Sequence, residues 1–387
     1  MGGLSSLAVV TCTAAFVFGM LLALLGAVKL KLAERLGLGE GRVGGLLAAL
    51  NLALIPMMLL SGVLIDALGV RLVLIVGSLL AAVAVFSLAL RRNYLAALFC
   101  VLVLGAGTAC LSAASVVLMP RSFGLDGHLA TSLNLGYVFV ALGALMTPTL
   151  TDLLLRTLDF RKTLAVLALL CLVPAGVAAL LWPEGQRAAP PQAGELVEVL
   201  SSFPILLVGI AFLFYAPLEF AISTWGSTYL TADQGYEESQ AAWVMSFFWL
   251  AFLVGRLLAT LLFHSVPSDT SFAPWLIFLL AVAAAAMMGN LAGAGKPRSA
   301  AWGIVLLGLA LGPIFPTLIA YALHAAPANA QGTAYGSVFA IGSAGSALLA
   351  PLLGLLMRGK SVMRALRLLA PLALLLIIVA LALLGLS

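Results

Sequence analysis

Apolar runs of about twenty residues, parted by short clusters of polar and charged positions, set the pattern of this chain. At roughly 1.5 Å rise per residue, a helical run of that length matches the hydrocarbon core of a bilayer. The runs fall near 5–28, 43–65, 71–91, 94–118, 129–151 and 162–182, then near 203–229, 239–263, 273–291, 299–324, 332–357 and 365–385. They predict twelve spans. A membrane strand would alternate apolar and polar positions, and segments such as 364–386 are apolar without alternation. A backbone in lipid must satisfy its own hydrogen bonds, which a helix does. The expected fold is therefore all-α and membrane-spanning.

The most polar, proline-rich stretch, Pro183 to Gln192, lies between the sixth and seventh runs and leads into a short amphipathic segment over 195–200. It divides the chain into a six-helix bundle over 1–182, a linker over 183–202 and a second six-helix bundle over 203–387. One echo points to an internal repeat. Gly136-Tyr137-Val138-Phe139 in span five recurs as Gly336-Ser337-Val338-Phe339 in span eleven, each followed by small residues and a proline, Pro148 or Pro351. Two repeated bundles around a midplane cavity form a transporter architecture. Glycine pairs such as Gly105/Gly107 and Gly342/Gly345 allow close helix approach, whether for packing alone or for rocking of one bundle on the other.

Composition agrees. Only 9% of the 387 residues are charged and 64% are hydrophobic, more apolar surface than a water-soluble fold can hide. The net charge of +5 is spread thinly, without a dense basic block, so nucleic acid is not an expected partner. Cys12, Cys100, Cys110 and Cys171 all lie inside apolar runs without a CxxC or Cys/His pairing, which reads as buried small residues, not a metal site or a disulfide framework. No Lys or Arg precedes the first run, so that helix is expected to be retained, not cleaved as a signal. Met1-Gly2 with Ser6 fits a myristoylation pattern, read as coincidence because an acyl chain adds nothing to so many spans. His128, His264 and His324 fall near span ends, and neither a nucleophile–His–acid set nor a GxxxxGK[ST] loop is present. A non-enzyme without cofactor is expected.

Polar residues inside the runs are the candidates for chemistry. Glu219 is the one carboxylate deep within an apolar run. Such a group costs about 2.5–3.5 kcal/mol at mid-bilayer on insertion scales, so it faces a cavity, pairs with a cation or takes up a proton. Tyr215 and Ser223 share its helix face, whereas Trp225 joins them only if span seven bends at Pro217. Arg256, in span eight, either pairs with Glu219, snorkels to the membrane surface or serves function directly. Asn51 and Asn134 are isolated amides that bond either a substrate or a neighbouring helix, the helix-joining role being favoured for Asn51. Aromatic side chains gather in the second half: Trp225, Trp243, Phe247, Phe248, Trp249, Phe315 and Tyr321. Trp243 and Trp249 serve as interface anchors or core, and those facing the cavity can stack on a sugar ring. Pro313 and Pro316 interrupt the ladder of span ten and free backbone carbonyls.

The connection after span two reads Gly62-Val63-Leu64-Ile65-Asp66-Ala67-Leu68-Gly69-Val70-Arg71. Gly69 can make the tight turn, and Asp66 can accept from the unpaired N–H groups of a neighbouring helix N-terminus. The stretch resembles the loop signature of the major facilitator superfamily, Gly-x-x-x-Asp-(Arg/Lys)-x-Gly-(Arg/Lys). Gly62, Asp66 and Gly69 match; Ala67 and Val70 replace the basic positions, and Arg71 follows one place late. The resemblance covers the whole chain and implies the major facilitator fold, with Gly62, Asp66, Gly69 and Arg71 as the gating motif. Tyr215-Ala216-Pro217-Leu218-Glu219, Trp225, Gly255-Arg256, Gly312-Pro313-Ile314-Phe315-Pro316-Thr317 and Gly332-Thr333-Ala334 look like the fucose permease and glucose/galactose branch. That branch consists mostly of cation-coupled sugar symporters with acidic coupling residues in spans one and four. Here Leu7–Val28 and Tyr94–Leu118 hold no Asp or Glu.

The resulting expectation is a monomeric secondary transporter that moves a small polar solute, a sugar or polyol first, by alternating access, with H+ or Na+ as coupling ion and the lipid bilayer as surroundings. Glu219, Tyr215, Trp225, Asn134, Phe315 and Tyr321 are the expected substrate or coupling-cation residues. An exporter of amphipathic compounds or lipids, or a non-transporting receptor of the same fold, stays open. The superfamily resemblance places both termini in the cytoplasm, with the linker, in a cell (inner) membrane. Yet most of the 19 Lys and Arg residues then face outward, against the positive-inside rule. The loop signature decides for cytoplasmic termini: a reporter fused after Ser387 is expected to read as cytoplasmic, and an external reading would invert the topology.

Overall fold

The computed structural model describes residues 6–125, 127–182, 190–266, 269–293, 295–356, 367 and 369–386. Met1-Gly2 and the 183–189 part of the linker lie outside the described residues, as does the expected start of the last span at 365–366. The described residues form helices with short connections: α1 (Ser6–Leu36), α2 (Glu40–Leu68), α3 (Val70–Leu90), α4 (Tyr94–Ser122), α5 (Leu129–Thr157), α6 (Phe160–Leu181), α7 (Ala193–Ser201), α8 (Phe203–Gln234), α9 (Glu238–His264), α10 (Asp269–Gly293), α11 (Pro297–Leu311), α12 (Ile314–Ala325), α13 (Gln331–Leu356) and α14 (Leu369–Leu384). Ten segments among them are long and apolar enough to cross a membrane, α11 and α12 counting as one. The 26-residue α13 and the 16-residue α14 lie where the eleventh and twelfth spans are predicted. Several helices overshoot their apolar runs, α1 through Arg35 for instance. The backbone ladder continues past the hydrocarbon, and polar side chains take over where headgroups begin.

Two compact units divide the chain. The first comprises Met1–Asp126, Gly136–Leu200 and Ala326–Ala340; the second comprises Gly127–Leu135, Ser201–Ala325 and Ile341–Ser387. The first turns of α5 thus count with the second unit, and those of α13 with the first.

Within each unit the same helix pairs touch. In the first, α3 packs on α4 and α6, α1 on α2, α4 and α6, and α2 on α3 and α4. Six spans later, α10 packs on α11, α12 and α14, α8 on α9, α11, α12 and α14, and α9 on α10 and α11. The internal repeat suggested by a four-residue echo is therefore carried by the packing of both units.

Glycine sets how closely some of these helices approach. A Cβ on Gly19 of α1 would strike the carbonyl of Val140, and one on Gly143 of α5 the carbonyl of Phe16. The equivalent pair in the second unit, α8 and α13, meets in the same way, with Gly345 against the carbonyl of Leu213 and Gly342 against the ring of Phe212. Lipid tails are as apolar as leucine, so close backbone packing of this kind, not hydrophobic burial, drives helices together in a membrane. Gly143→Leu is expected to cost at least about 1–3 kcal/mol by overpacking. In detergent it should lower the thermal midpoint clearly, whereas Gly26→Leu, on an open part of α1, should leave it nearly unchanged.

Candidate functional site

Two constellations concentrate the polar chemistry, one in each unit. In the first, α2 and the start of α13 lie backbone to backbone. Gly62 and Gly332 each face the other's carbonyl, and Gly336 faces the carbonyl of Met58. Met58, Gly62 and Asp66 recur every four residues and so share one face of α2. Asp66 lies in the last turn of its own helix, where a negative charge is unfavourable, and at the first turn of α13, where it is favourable. Its Oδ1 accepts from the Gly332 N–H at 2.9 Å. Its Oδ2 accepts from the Thr333 N–H at 2.6 Å and from the Thr333 hydroxyl at 2.7 Å. Donors that a helix N-terminus leaves without an intrahelical partner are thereby satisfied by a charged acceptor. Gly69 joins α2 to α3 as a single residue at φ 92°, a conformation open to glycine and strained for other residues.

Arg71 does not join this contact. It donates to the Ala179 carbonyl at 3.4 Å and lies over the Trp182 ring at 5.9 Å, so it serves the C-terminal end of α6, where a cation is favoured. The positive charge acting on Asp66 is Arg121 at the end of α4, which also donates to the Ala328 carbonyl at 3.5 Å. A further tie to the same loop comes from α7, where the Glu195 carboxylate accepts from Asn329 Nδ2 at 3.0 Å. Sequence reading missed Arg121 and Glu195 because their partners lie some two hundred and some 130 residues away. The polar linker helix was the only local hint.

In the second unit, Glu219 shares its face of α8 with Phe212, Tyr215, Ser223 and Gly226. Phe212, Tyr215 and Gly226 are buried, whereas Ile210 and Thr228, on the opposite face, are exposed. The carboxyl therefore turns into protein, not toward acyl chains, and is itself half-buried. Tyr215 Oη lies 2.7 Å from Glu219 Oε2 and 3.0 Å from the Leu311 carbonyl. The hydroxyl has one hydrogen for these two acceptors. Phe315 packs beside this group, stacked on Tyr215 at 6.5 Å and tilted against Phe212 at 4.4 Å.

Span ten is divided at Gly312-Pro313, as its prolines predict. Proline has no N–H, so Pro313 leaves the Leu309 carbonyl, and Pro316 the Gly312 carbonyl, without an intrahelical donor. Both are met by α9. Gly255 presses its backbone against the Leu309 carbonyl, and Arg256 Nε donates to the Gly312 carbonyl at 3.0 Å. Arg256 is only 6% exposed, with its guanidinium 4.5 Å from the centre of the Phe252 ring. It does not snorkel, and its charge acts on Glu219.

The remaining candidates have surroundings of their own. Asn134 is fully buried and donates to the Thr317 hydroxyl at 3.2 Å and to the Ala130 carbonyl at 2.9 Å, while its buried Oδ1 has no partner among the described residues. Tyr321, buried at 8% exposure, follows Thr317 by one turn, on a face of α12 distinct from that of Phe315. Trp225 is half-buried, and α8 runs as one helix through Pro217. The helical register sets Trp225 about a third of a turn from Glu219. Asn51 is exposed on α2, so the helix-joining role favoured for it does not hold. Trp243, 67% exposed, stands outside the core as an interface anchor would.

Asp66→Ala is expected to strip Gly332 and Thr333 of their shared acceptor, at about 1.5–3 kcal/mol per charge-assisted bond. Amide exchange at these two positions should accelerate at least about tenfold. Unchanged exchange would mean that the contact does not hold the helix end.

A sequence profile described as Major Facilitator Superfamily matches residues 7–351. A search of curated proteins finds no match. Solved structures match along nearly the whole chain. FucP, described as a major facilitator superfamily transporter in the outward conformation and elsewhere as the E. coli fucose:proton symporter, superposes with a TM-score of 0.77 at 18% identity, over 97% of this chain and 98% of its own. The proton:xylose symporter XylE, bound to a bromo-deoxy-glucose, gives 0.73 at 14% identity over 96% and 94%. The human organic anion transporter MFSD10 gives 0.74 at 15% identity over 98% and 100%. At these identities the structural likeness establishes the fold alone.

Proposed function

For a chain that belongs to the Major Facilitator Superfamily and has its multi-pass transporter fold, we propose secondary active transport of a small polar solute, a sugar or polyol first, with Glu219 as the coupling or substrate carboxylate. The observation that carries this reading is the Glu219–Tyr215–Leu311 contact at the break of span ten. With Glu219 ionised, the Tyr215 hydrogen is drawn to the carboxylate. With Glu219 protonated, the acid donates to Tyr215, and the hydroxyl hydrogen is released to the Leu311 carbonyl. One proton thus decides whether span seven is tied to span ten just before its interrupted turn. Arg256 holds the next carbonyl, Gly312. The absence of acidic residues from spans one and four leaves Glu219 as the carboxylate best sited for this task. FucP and XylE are named as proton symporters of sugars, which favours H+ over Na+ and a hydroxyl-rich substrate.

Asp66 takes the gating role in this reading. Its three hydrogen bonds to the start of α13 are the kind of discrete contact that is made in one state of an alternating-access cycle and broken in another. Gly62 and Gly69 serve it by close approach and by the turn. Arg71 supports it only indirectly, through α6.

A second reading, transport of amphipathic organic compounds, draws on the likeness to MFSD10 and on the acid-free first half. A substrate panel of sugars, polyols and amphipathic anions separates the two. In proteoliposomes with an imposed proton gradient, Glu219→Gln is expected to abolish uphill accumulation while exchange down a gradient persists. Tyr215→Phe should lower the accumulation rate by at least about tenfold, in line with the loss of a hydrogen bond to a charged group at 1.5–3 kcal/mol. Full accumulation by Glu219→Gln would remove the carboxylate from the mechanism. Binding without flux across the panel would identify a receptor.

A further inference from the structure

One end of the first unit carries an excess of guanidinium charge that the transport reading does not use. Arg35 in the last turn of α1, Arg92 in the connection between α3 and α4, and Arg161 in the first turn of α6 line one open depression of about 420 Å³. Arg92 and Arg161 both repel Arg35. The neighbouring acids are engaged one by one with other cations: Glu34 with Lys31 at 3.0 Å, Asp152 with Arg156 at 2.7 Å and Asp159 with Lys162 at 3.7 Å. Asp159 also caps α6, accepting from the Lys162 N–H at 2.9 Å. Among the described residues, the three lining arginines have no ion pair of their own. Asp159 is the acid that acts on Arg35, one carboxylate against three guanidinium groups and a lysine.

Chance surface charge does not account well for this arrangement. Arg161 sits at a helix N-terminus, where the backbone dipole disfavours a cation and favours an anion. Arg35 is oriented by the Phe160 ring, 5.3 Å from its guanidinium carbon. Three planar forks, two from helix ends and one from the α3–α4 connection, line one depression, and a tetrahedral oxyanion can accept from each. Exposed apolar side chains adjoin the depression on α1 and on the helix that follows Arg92: Leu30 on α1 and Leu95 and Phe99 on α4 are 77%, 75% and 68% exposed. A phosphate seated among the arginines would thus sit at headgroup level, beside surface suited to acyl chains.

We propose that Arg35, Arg92 and Arg161 form a phosphate-binding site at this rim, of which an anionic phospholipid headgroup or a free phosphate compound would be the occupant. The site is independent of the transport reading and of Glu219. Its test uses the full-length protein, purified in neutral detergent and in nanodiscs of phosphatidylcholine with or without phosphatidylglycerol. Thermal stability and lipid retention in native mass spectrometry are compared for wild type, the triple variant Arg35→Gln/Arg92→Gln/Arg161→Gln, and Arg156→Gln as a control whose charge is already paired. Wild type and Arg156→Gln should retain phosphatidylglycerol at least tenfold better than the triple variant and be stabilised by it. In phosphatidylcholine alone the triple variant should be as stable as wild type or more so, because repulsion has been removed, so weak binding is not mistaken for misfolding. Stabilisation by phosphatidylglycerol but not by millimolar inorganic phosphate in detergent identifies the lipid. Stabilisation by inorganic phosphate, lost in the triple variant, identifies a free phosphate ligand. Equal lipid retention and equal phosphate response in wild type and triple variant would overturn the site.

Discussion

A peptide backbone in lipid has no water to bond to, so each interruption of a helix has to be met by protein. In this molecule the groups that meet those interruptions include the residues with the most distinctive chemistry. Pro316 orphans the Gly312 carbonyl, and Arg256 reaches it from α9. Tyr215 reaches the Leu311 carbonyl beside the same break. The first turn of α13 has N–H groups to satisfy, and Asp66 takes two of them together with the Thr333 hydroxyl. Costly ionisable side chains are retained inside an apolar fold at points where the backbone would otherwise be left unsatisfied.

The second constraint is spacing. A side chain can reach a backbone group on the next helix only if the two helices lie close, and glycine makes that approach. Gly62, Gly332 and Gly336 bring α2 against α13 so that Asp66 meets a helix end. Gly255, Gly308 and Gly312 bring α9 against the broken span ten, where Arg256 bonds. The same device recurs between α1 and α5 and between α8 and α13, helix pairs related by the internal repeat. Packing by small residues also suits motion, since it presents few interlocking side chains. In the proposed transport cycle, the contacts at Asp66 and at span ten are the ones made and broken in turn.

Glu219 brings these themes together. It is a carboxylate held inside protein beside a tyrosine whose single hydrogen has two acceptors, one on its own helix and one on the interrupted helix opposite. In the proposed mechanism, proton occupancy and backbone contact are alternatives at that one hydroxyl. A neutral side chain at 219 would keep the packing and lose the choice. The cationic rim of the first unit is a separate matter, governed by the bilayer surface and by the dipole of α6.

Several features were legible in the sequence because they depend only on local physics. Runs of apolar residues fixed the twelve spans, since length and hydrophobicity suffice to place a helix in a bilayer. Prolines marked the break in span ten, because the missing N–H is a covalent fact. Isolated charges such as Glu219, Asp66 and Arg256 stood out against oil. Partnership was decided only by tertiary structure. Arg71 follows the signature loop by one residue, yet it turns to α6, and the charge beside Asp66 comes from Arg121, more than fifty residues on. Asn134 was legible as a polar residue in an apolar run, but its bond to Thr317, more than 180 residues on, appears only once α5 and α12 are packed. A sequence lists which groups need a partner; which partner each one finds depends on helix rotation and on glycine contacts between segments up to 270 residues apart, and these exist only once the helices are packed.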